Sequence, residues 1–315
     1  MKKLFSVLTA LMLLLALSSC SSAPKTALTI EDTEINEEIY AYFLDKIISN
    51  PAAYSLSENA GEKELCAAAT KECKTYLATN TAFRDLGLSL TSAKKAEISA
   101  TVNNLWVRSE NYYKSIGVSK QTLTKAQTAQ AYEDAIFTAK YDKGFADASA
   151  ETEIKNYFYS NYISFRTVCV YFTKADGVTP MTQAEKNELL AKFELLGSGE
   201  TTADAFTQAI LDIGYTASDS VILKKGSDGY PEGFYEKVAA MADSETITIT
   251  YDDCVFAVFK ENLEEKGEGV YANYRSVCIS DLYSGEYEDY IEEYIADFKT
   301  DENKSVISDI FKKLK

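Results

Sequence analysis

Residues 165–172, FRTVCVYF, mark the point at which the pattern of this 315-residue chain changes. β-Branched and aromatic residues dominate the segment, and such side chains are enriched in strands because they pack well on a pleated surface. Before it, apolar residues recur at helical spacing, as in Ile39, Phe43 and Ile47. The segment therefore predicts a β-containing domain that follows a helical one.

Towards the N-terminus, Asn36 is suited to cap the first helix, and Gly87 and Gly117 fit the left-handed position that follows a helix end. A short strand is expected before them, at residues 28–30. The predicted helices cover residues 37–49, 65–85, 91–115 and 121–143.

Towards the C-terminus, Thr182 and Glu185 form a capping box, and apolar alternation continues to about residue 259. The pattern predicts the order strand, helix, helix, strand, helix, strand, strand. After Gly267 the chain is again helical, with Tyr287, Ile291, Tyr294 and Phe298 on one face. The fold class expected is α+β, with a sheet domain inserted into a helical one.

The N-terminus is typical of an export signal. Lys2 and Lys3 precede an apolar run at residues 4–17, and residues 17–20, LSSC, resemble the lipobox of bacterial lipoproteins. This run is shorter than the roughly 20 residues that a spanning helix needs. The alternatives are an ordinary secretory signal or a membrane anchor. We expect lipidation at Cys20 and an extracytoplasmic, lipid-anchored location on the bacterial cell membrane.

Five segments follow from these patterns. They are a signal peptide (1–19), a lipidated linker (20–27), a helical N-terminal domain (28–160), a sheet domain (161–263), and C-terminal helices (264–315) that pack on the helical domain.

Composition restricts the chemistry. The formal net charge of −16 repels nucleic acid and anionic lipid, so nucleic acid is not an expected partner, and membrane contact is left to the acyl chains. The chain has no histidine, the commonest general base and zinc ligand, and no Cys-x-x-Cys spacing. We expect no metal and no cofactor.

Four short motifs carry a family resemblance. They are INEEI at residues 35–39, IGVS at 116–119, TEIKNYF at 152–158 and YPEGF at 230–234. In this order, after a lipobox, the chain resembles the PrsA and SurA type of extracytoplasmic foldase. The resemblance implies a helical chaperone domain of the SurA or trigger-factor type. It also implies that a parvulin-like (PpiC-like) peptidyl-prolyl isomerase domain, made of an antiparallel β-sheet and helices, is inserted into that helical domain.

The resemblance also implies a catalytic cluster of two histidines with a cysteine or aspartate beneath an apolar cup. In this chain Tyr171 and Val255 stand where the histidines belong, and Asp219 falls near the acidic position. The isomerase activity is therefore predicted to be lost or very weak. Phe234 matches the cup, although it could equally anchor a helix to the sheet. The remaining peptide-binding candidates are Tyr230, Tyr171, Phe206 and Met241.

The resemblance suggests a membrane-anchored chaperone that binds unfolded or newly exported polypeptides. The 22 tyrosines of the chain suit an apolar binding surface that stays in contact with water. The excess of acidic over basic residues would favour basic clients. Two alternatives stay open: a working prolyl isomerase, and a structural or assembly lipoprotein with one specific partner. Cys169 and Cys254 would lie on neighbouring strands of a parvulin sheet, either as a disulfide or as two buried thiols.

Overall fold

The computed structural model describes residues 24–144, 147–197 and 199–315. They divide into two compact units, one formed by the chain up to Tyr141 together with Gly285–Lys315, the other by Asp142–Ser284. The chain passes between these units at residues 142 and 284, while the domain division at 161 and 263 stays a prediction from the sequence pattern. The expected leader and Cys20 lie outside the described residues.

The helices of both units, in chain order, are α1 (Glu37–Ser49), α2 (Glu62–Asp85), α3 (Ser92–Ile116), α4 (Lys120–Tyr141), α5 (Ala148–Asn161), α6 (Gln183–Glu194), α7 (Ala203–Asp212), α8 (Phe234–Ala239), α9 (Glu268–Ala296) and α10 (Lys304–Leu314). The strands are β1 (Thr26–Ile30), β2 (Thr33–Asn36), β3 (Tyr162–Tyr171), β4 (Gly199–Glu200), β5 (Val221–Lys224), β6 (Glu245–Thr250), β7 (Cys254–Glu261) and β8 (Thr300–Glu302). Short 3₁₀ turns occur at Pro51–Tyr54 and Glu264–Lys266. The fold class is α+β, as expected. Among the described residues, no helix combines the length and the apolar character that crossing a bilayer requires.

Local capping explains where the helices of the first unit begin and end. The Asn36 side chain accepts a hydrogen bond from the Ile39 amide at 3.0 Å, and Thr91 accepts one from the Lys94 amide at 3.1 Å. Gly87 and Gly117 have φ values of +64° and +81°, in the left-handed region that the sequence predicts for them.

The first unit is not purely helical, because a three-stranded antiparallel sheet in the order β2-β1-β8 accompanies its helices. The core is built from β1 and from α1, α2, α3, α4 and α10, with Leu28, Leu44, Ile47, Leu123 and Ile310 among its buried members. β2 and β8 were not expected, since strands of four and three mostly polar residues carry no periodic pattern.

The second unit is a five-stranded antiparallel sheet in the order β4-β6-β7-β3-β5. Side chains alternate across β7, so Phe256 and Val258 join the cluster under α8, whereas Val255 and Ala257 join the cluster under α6 and α7. We call these the α8 face and the α6/α7 face of the sheet. The expected order of the main strands and helices is confirmed, with β4 as an addition.

Candidate functional site

The β3–β7 pairing places the candidate catalytic residues. Tyr171 lies opposite Cys254, and Cys169 lies opposite Phe256, so that these four residues share the α8 face. Val255 points to the α6/α7 face and is fully buried there. The structure therefore does not bring Tyr171 and Val255 together, because adjacent residues of a strand project to opposite faces of the sheet.

Aromatic rings fill the α8 face. The ring of Tyr230 is stacked on that of Phe234 with centroids 4.4 Å apart, and Phe256 and Phe165 lie 5.0 and 5.4 Å from Phe234. Phe234 is 0% exposed and Met241 is 6% exposed. Phe234 thus anchors α8 to the sheet, and neither side chain presents a surface that a peptide could contact.

The turn before α8 explains why Tyr230 covers Phe234. Gly233, the extra residue in the YPEGF motif, has φ +74°, a left-handed conformation that favours glycine. The Phe234 amide donates to the Pro231 carbonyl at 3.0 Å, which closes the turn. The chain therefore folds back, and Tyr230 comes to lie on the ring that opens the helix.

The other candidate site residues differ in solvent exposure and in the face of the sheet on which they lie. Phe206 is 2% exposed and stacks on Phe259 at 5.7 Å on the α6/α7 face, away from Phe234. Asp219 is exposed, in the loop where the amide of its neighbour Ser218 donates to the Thr167 carbonyl. Tyr171 is 59% exposed and Tyr230 is partly exposed, so these two keep accessible surface.

Cys169 and Cys254 are free thiols. They are diagonal neighbours across the β3–β7 ladder, a relation that places Cα atoms roughly 7–8 Å apart, beyond the usual reach of a disulfide. Burial raises the pKa of Cys169, and burial with hydrogen bonds to Asp253 and Cys169 raises the pKa of Cys254 to about 12. Neither thiol is activated as a nucleophile.

Sequence reasoning missed a buried polar cluster of this unit, which surrounds Glu261. Its buried carboxylate accepts hydrogen bonds from Ser164 at 2.9 Å, from Arg166 at 3.1 Å and from Ser220, and it pairs with Lys266 at 2.7 Å. Burial by itself would raise the pKa of Glu261, but these donors outweigh burial and lower it. Only the β3–β7 register, which pairs Ser164 with Glu261, could have predicted the cluster.

Two grooves of the first unit lie along α4, and we call them the α4 grooves. One, of about 260 Å³, lies between α3 and α4 and is lined by Leu90, Ile98 and Val102. The second, of about 590 Å³, lies between α2 and α4 and is lined by Tyr76 and Asn80. Both grooves are lined by Lys120, Thr124, Thr128 and Tyr132 of α4.

The α8 face and the α4 grooves differ in the chemical groups that they present. The α8 face offers thiols of raised pKa and phenols, and the chain has no imidazole. Within residues 24–144, 147–197 and 199–315, no group of three or more Cys, Asp or Glu side chains is placed to hold a metal ion.

Comparison with known proteins gave structural neighbours. The foldase protein PrsA of Lactococcus lactis is 14% identical, with 92% of this chain and 99% of that chain covered and a TM-score of 0.37. PrsA of Streptococcus pneumoniae is also 14% identical, with 93% and 100% covered and a TM-score of 0.39. A SurA-like chaperone of Campylobacter jejuni is 8% identical, with 88% and 98% covered and a TM-score of 0.29.

No protein-family model and no curated protein sequence matches the chain. The three solved structures named above are two foldases and a SurA-like chaperone.

Proposed function

We propose that this chain is an extracytoplasmic chaperone that binds unfolded or newly exported polypeptides without isomerising their prolyl bonds. A lipid on Cys20 would hold it at the membrane. The observation that carries the proposal is a contrast between the two units: the ring-filled α8 face has no imidazole, whereas the α4 grooves are open and partly apolar.

The proposed loss of isomerase activity is argued from the energy barrier to rotation of a prolyl peptide bond. Rotation about a peptide bond costs about 18–20 kcal/mol, and a catalyst must bind the twisted state more tightly than the planar one. A prolyl ring has no access to Phe234 in this structure, because Tyr230 is stacked on it. Tyr171 and Tyr230 remain as candidate peptide contacts on this unit, since both keep some exposed surface.

Aggregation of an unrelated, chemically denatured protein tests the chaperone function. The mature chain should suppress light scattering in proportion to its concentration, because transient contacts with apolar segments keep clients apart. A serum albumin at equal mass is the control for crowding. Absence of suppression would overturn the proposal and would favour a lipoprotein with a single specific partner.

A protease-coupled assay with proline peptides tests the absence of catalysis. The wild-type chain should give the uncatalysed rate, and so should Tyr230→Ala, which uncovers Phe234 but supplies no imidazole. A saturable rate in the wild type would establish the isomerase alternative. A rate that appears only in Tyr230→Ala would show that coverage of Phe234, and not the missing histidines, prevents catalysis.

Lipid attachment has its own test in cells. Metabolic labelling with a fatty-acid analogue should mark the wild-type chain and leave Cys20→Ser unlabelled and unanchored. An unlabelled wild type would remove the membrane anchor from the proposal and leave the chaperone function untouched.

A further inference from the structure

The α4 grooves differ in charge from the rest of the molecule. Their lining includes Lys95 in one groove, Lys125 in the other and Lys120 in both, but no Asp or Glu. The chain as a whole has a net charge of −16. A basic strip on an acidic protein is a local feature that the net charge does not predict.

The three lysines stay outside the surface ion pairs of the described residues, although Lys120 lies close enough to Glu110 to add to the effect of Lys114, which lowers the pKa of that carboxyl. Within the described part of the chain, none of Lys95, Lys120 and Lys125 forms an ion pair, whereas Lys94 pairs with Glu97 at 3.0 Å and Lys114 pairs with Glu110 at 2.7 Å. All three are exposed, so their ammonium groups are available to a ligand.

The floor of the grooves supplies an apolar contact beside these charges. Ile98 and Val102 on α3 are mostly buried and close the bottom of one groove, while Leu90, Tyr76 and Tyr132 are partly exposed at the walls. A ligand that fits must therefore combine apolar side chains with negative charge.

We infer that the α4 grooves bind extended polypeptide segments in which apolar residues stand next to Asp or Glu. The inference rests on the proposed function and names the class of segment that the first unit prefers. Charge on exposed groups is screened beyond about 8 Å at physiological salt, so the local lysines outweigh the distant acidic surface. A second copy of the chain is a poorer occupant, because its own net charge of −16 opposes close approach.

The preference for acidic segments opposes what the overall charge suggests, so a direct comparison decides between them. Two short fluorescent peptides are titrated into the mature chain, one of Leu and Glu and the other with Lys in place of every Glu. At physiological salt, where the distant acidic surface is screened, the acidic peptide should bind about tenfold more tightly, since it forms three exposed ion pairs that the basic peptide cannot form. Added salt should reduce the difference.

The triple variant K95Q/K120Q/K125Q should bind the acidic peptide about tenfold more weakly than wild type. The matched control is K25Q/K299Q/K312Q, which removes three exposed lysines of the same unit that line neither groove. It should change the affinity by less than about twofold, since distant exposed charges are screened.

A second pair of variants checks the location without removing lysines. Thr124→Glu places a carboxylate on the wall shared by the two grooves and should weaken binding of the acidic peptide. Thr101→Glu places the same charge at an exposed position of α3 outside the grooves and should leave binding unchanged.

Equal or tighter binding of the basic peptide, or an equal loss in the control triple variant, would overturn the inference. Aggregation suppression would then still support the proposed function. Failure of both peptides to bind while aggregation is suppressed would also overturn this inference alone. If the wild-type chain fails to suppress aggregation, the proposed function itself is overturned.

Discussion

Loss of the Glu261 carboxylate should destabilise the second unit. It is 6% exposed and takes hydrogen bonds from two serines and charge from Arg166 and Lys266, so Glu261→Gln leaves two cations without their shared anion. Breaking such a buried pair costs about 3 kcal/mol. We expect this loss in urea denaturation followed by circular dichroism. Glu265→Gln, at an exposed neighbouring position, should cost little.

The pH dependence of this effect has a definite sign. Because the pKa of Glu261 is lowered in the folded state, its stabilisation is complete above the ordinary glutamate pKa of 4.5 and is lost as pH falls through the folded value. The difference between wild type and Glu261→Gln should therefore shrink in acid. A difference that grows on acidification would contradict the assigned role.

The two thiols of the α8 face should remain unbridged and slow to react. Burial disfavours their thiolates, and Cys254, with a pKa of about 12, is almost entirely protonated near neutral pH. Alkylation of the native chain should leave Cys254 unmodified, while alkylation in denaturant without reductant should label both Cys169 and Cys254. Mass spectrometry that finds them resistant until reduction would indicate a disulfide and a different β3–β7 register.

At the scale of single elements, two glycines make a matched pair. Gly117 ends α3 at φ +81°, so Gly117→Ala should cost about 1–2 kcal/mol of backbone strain. The new Cβ would also lie 2.7 Å from Lys313 Nζ, but that flexible side chain can move. Gly285 lies within α9 with no atom near its Cβ position, so Gly285→Ala should stabilise by about 0.5–1 kcal/mol. Melting temperatures that shift in the same direction would refute this contrast.

The start of α4 depends on a side chain from α1. Glu38 accepts hydrogen bonds from the Ser119 amide at 3.2 Å, from the Ser119 hydroxyl and from the Thr122 hydroxyl, both at 2.5 Å. Glu38→Ala should destabilise the first unit by about 1–3 kcal/mol, since the donors at the helix start lose a charged acceptor.

Unfolding followed by the fluorescence of Trp106, the single tryptophan of the chain and a residue of this unit, measures that effect. The control Glu97→Gln breaks only an exposed pair with Lys94 and should cost less than about 0.5 kcal/mol. Equal losses would show that Glu38 does not cap α4.

Elements with local signals could be predicted from the sequence. Thr182 caps α6 and forms its box with Glu185 as expected, because a cap needs only residues three positions apart. Asp147 caps α5 and Thr202 caps α7 in the same way, each through its own side chain. β3 begins at Tyr162, earlier than the aromatic run, since pairing with β5 extends it.

On the scale of the whole molecule, long-range pairing decides what the sequence could not reveal. A shift of one residue moves a strand side chain to the other face of the sheet. The resemblance puts Val255 in one cluster with Tyr171, whereas in the structure Val255 faces α6 and α7. The Glu261 cluster joins residues from positions 164 to 266 and has no local pattern. The absence of histidine, by contrast, could be read directly from the sequence.

The sheet order has a consequence for how copies of this protein behave when crowded together. β5 is an edge strand of four residues, and the outer side of an edge strand exposes backbone amides and carbonyls that another chain could pair with. The strand is short and is followed by the exposed Lys225, whose charge disfavours the addition of a further strand. Two copies should therefore not pair edge to edge through β5, and an extended client segment should not add to the sheet at this strand.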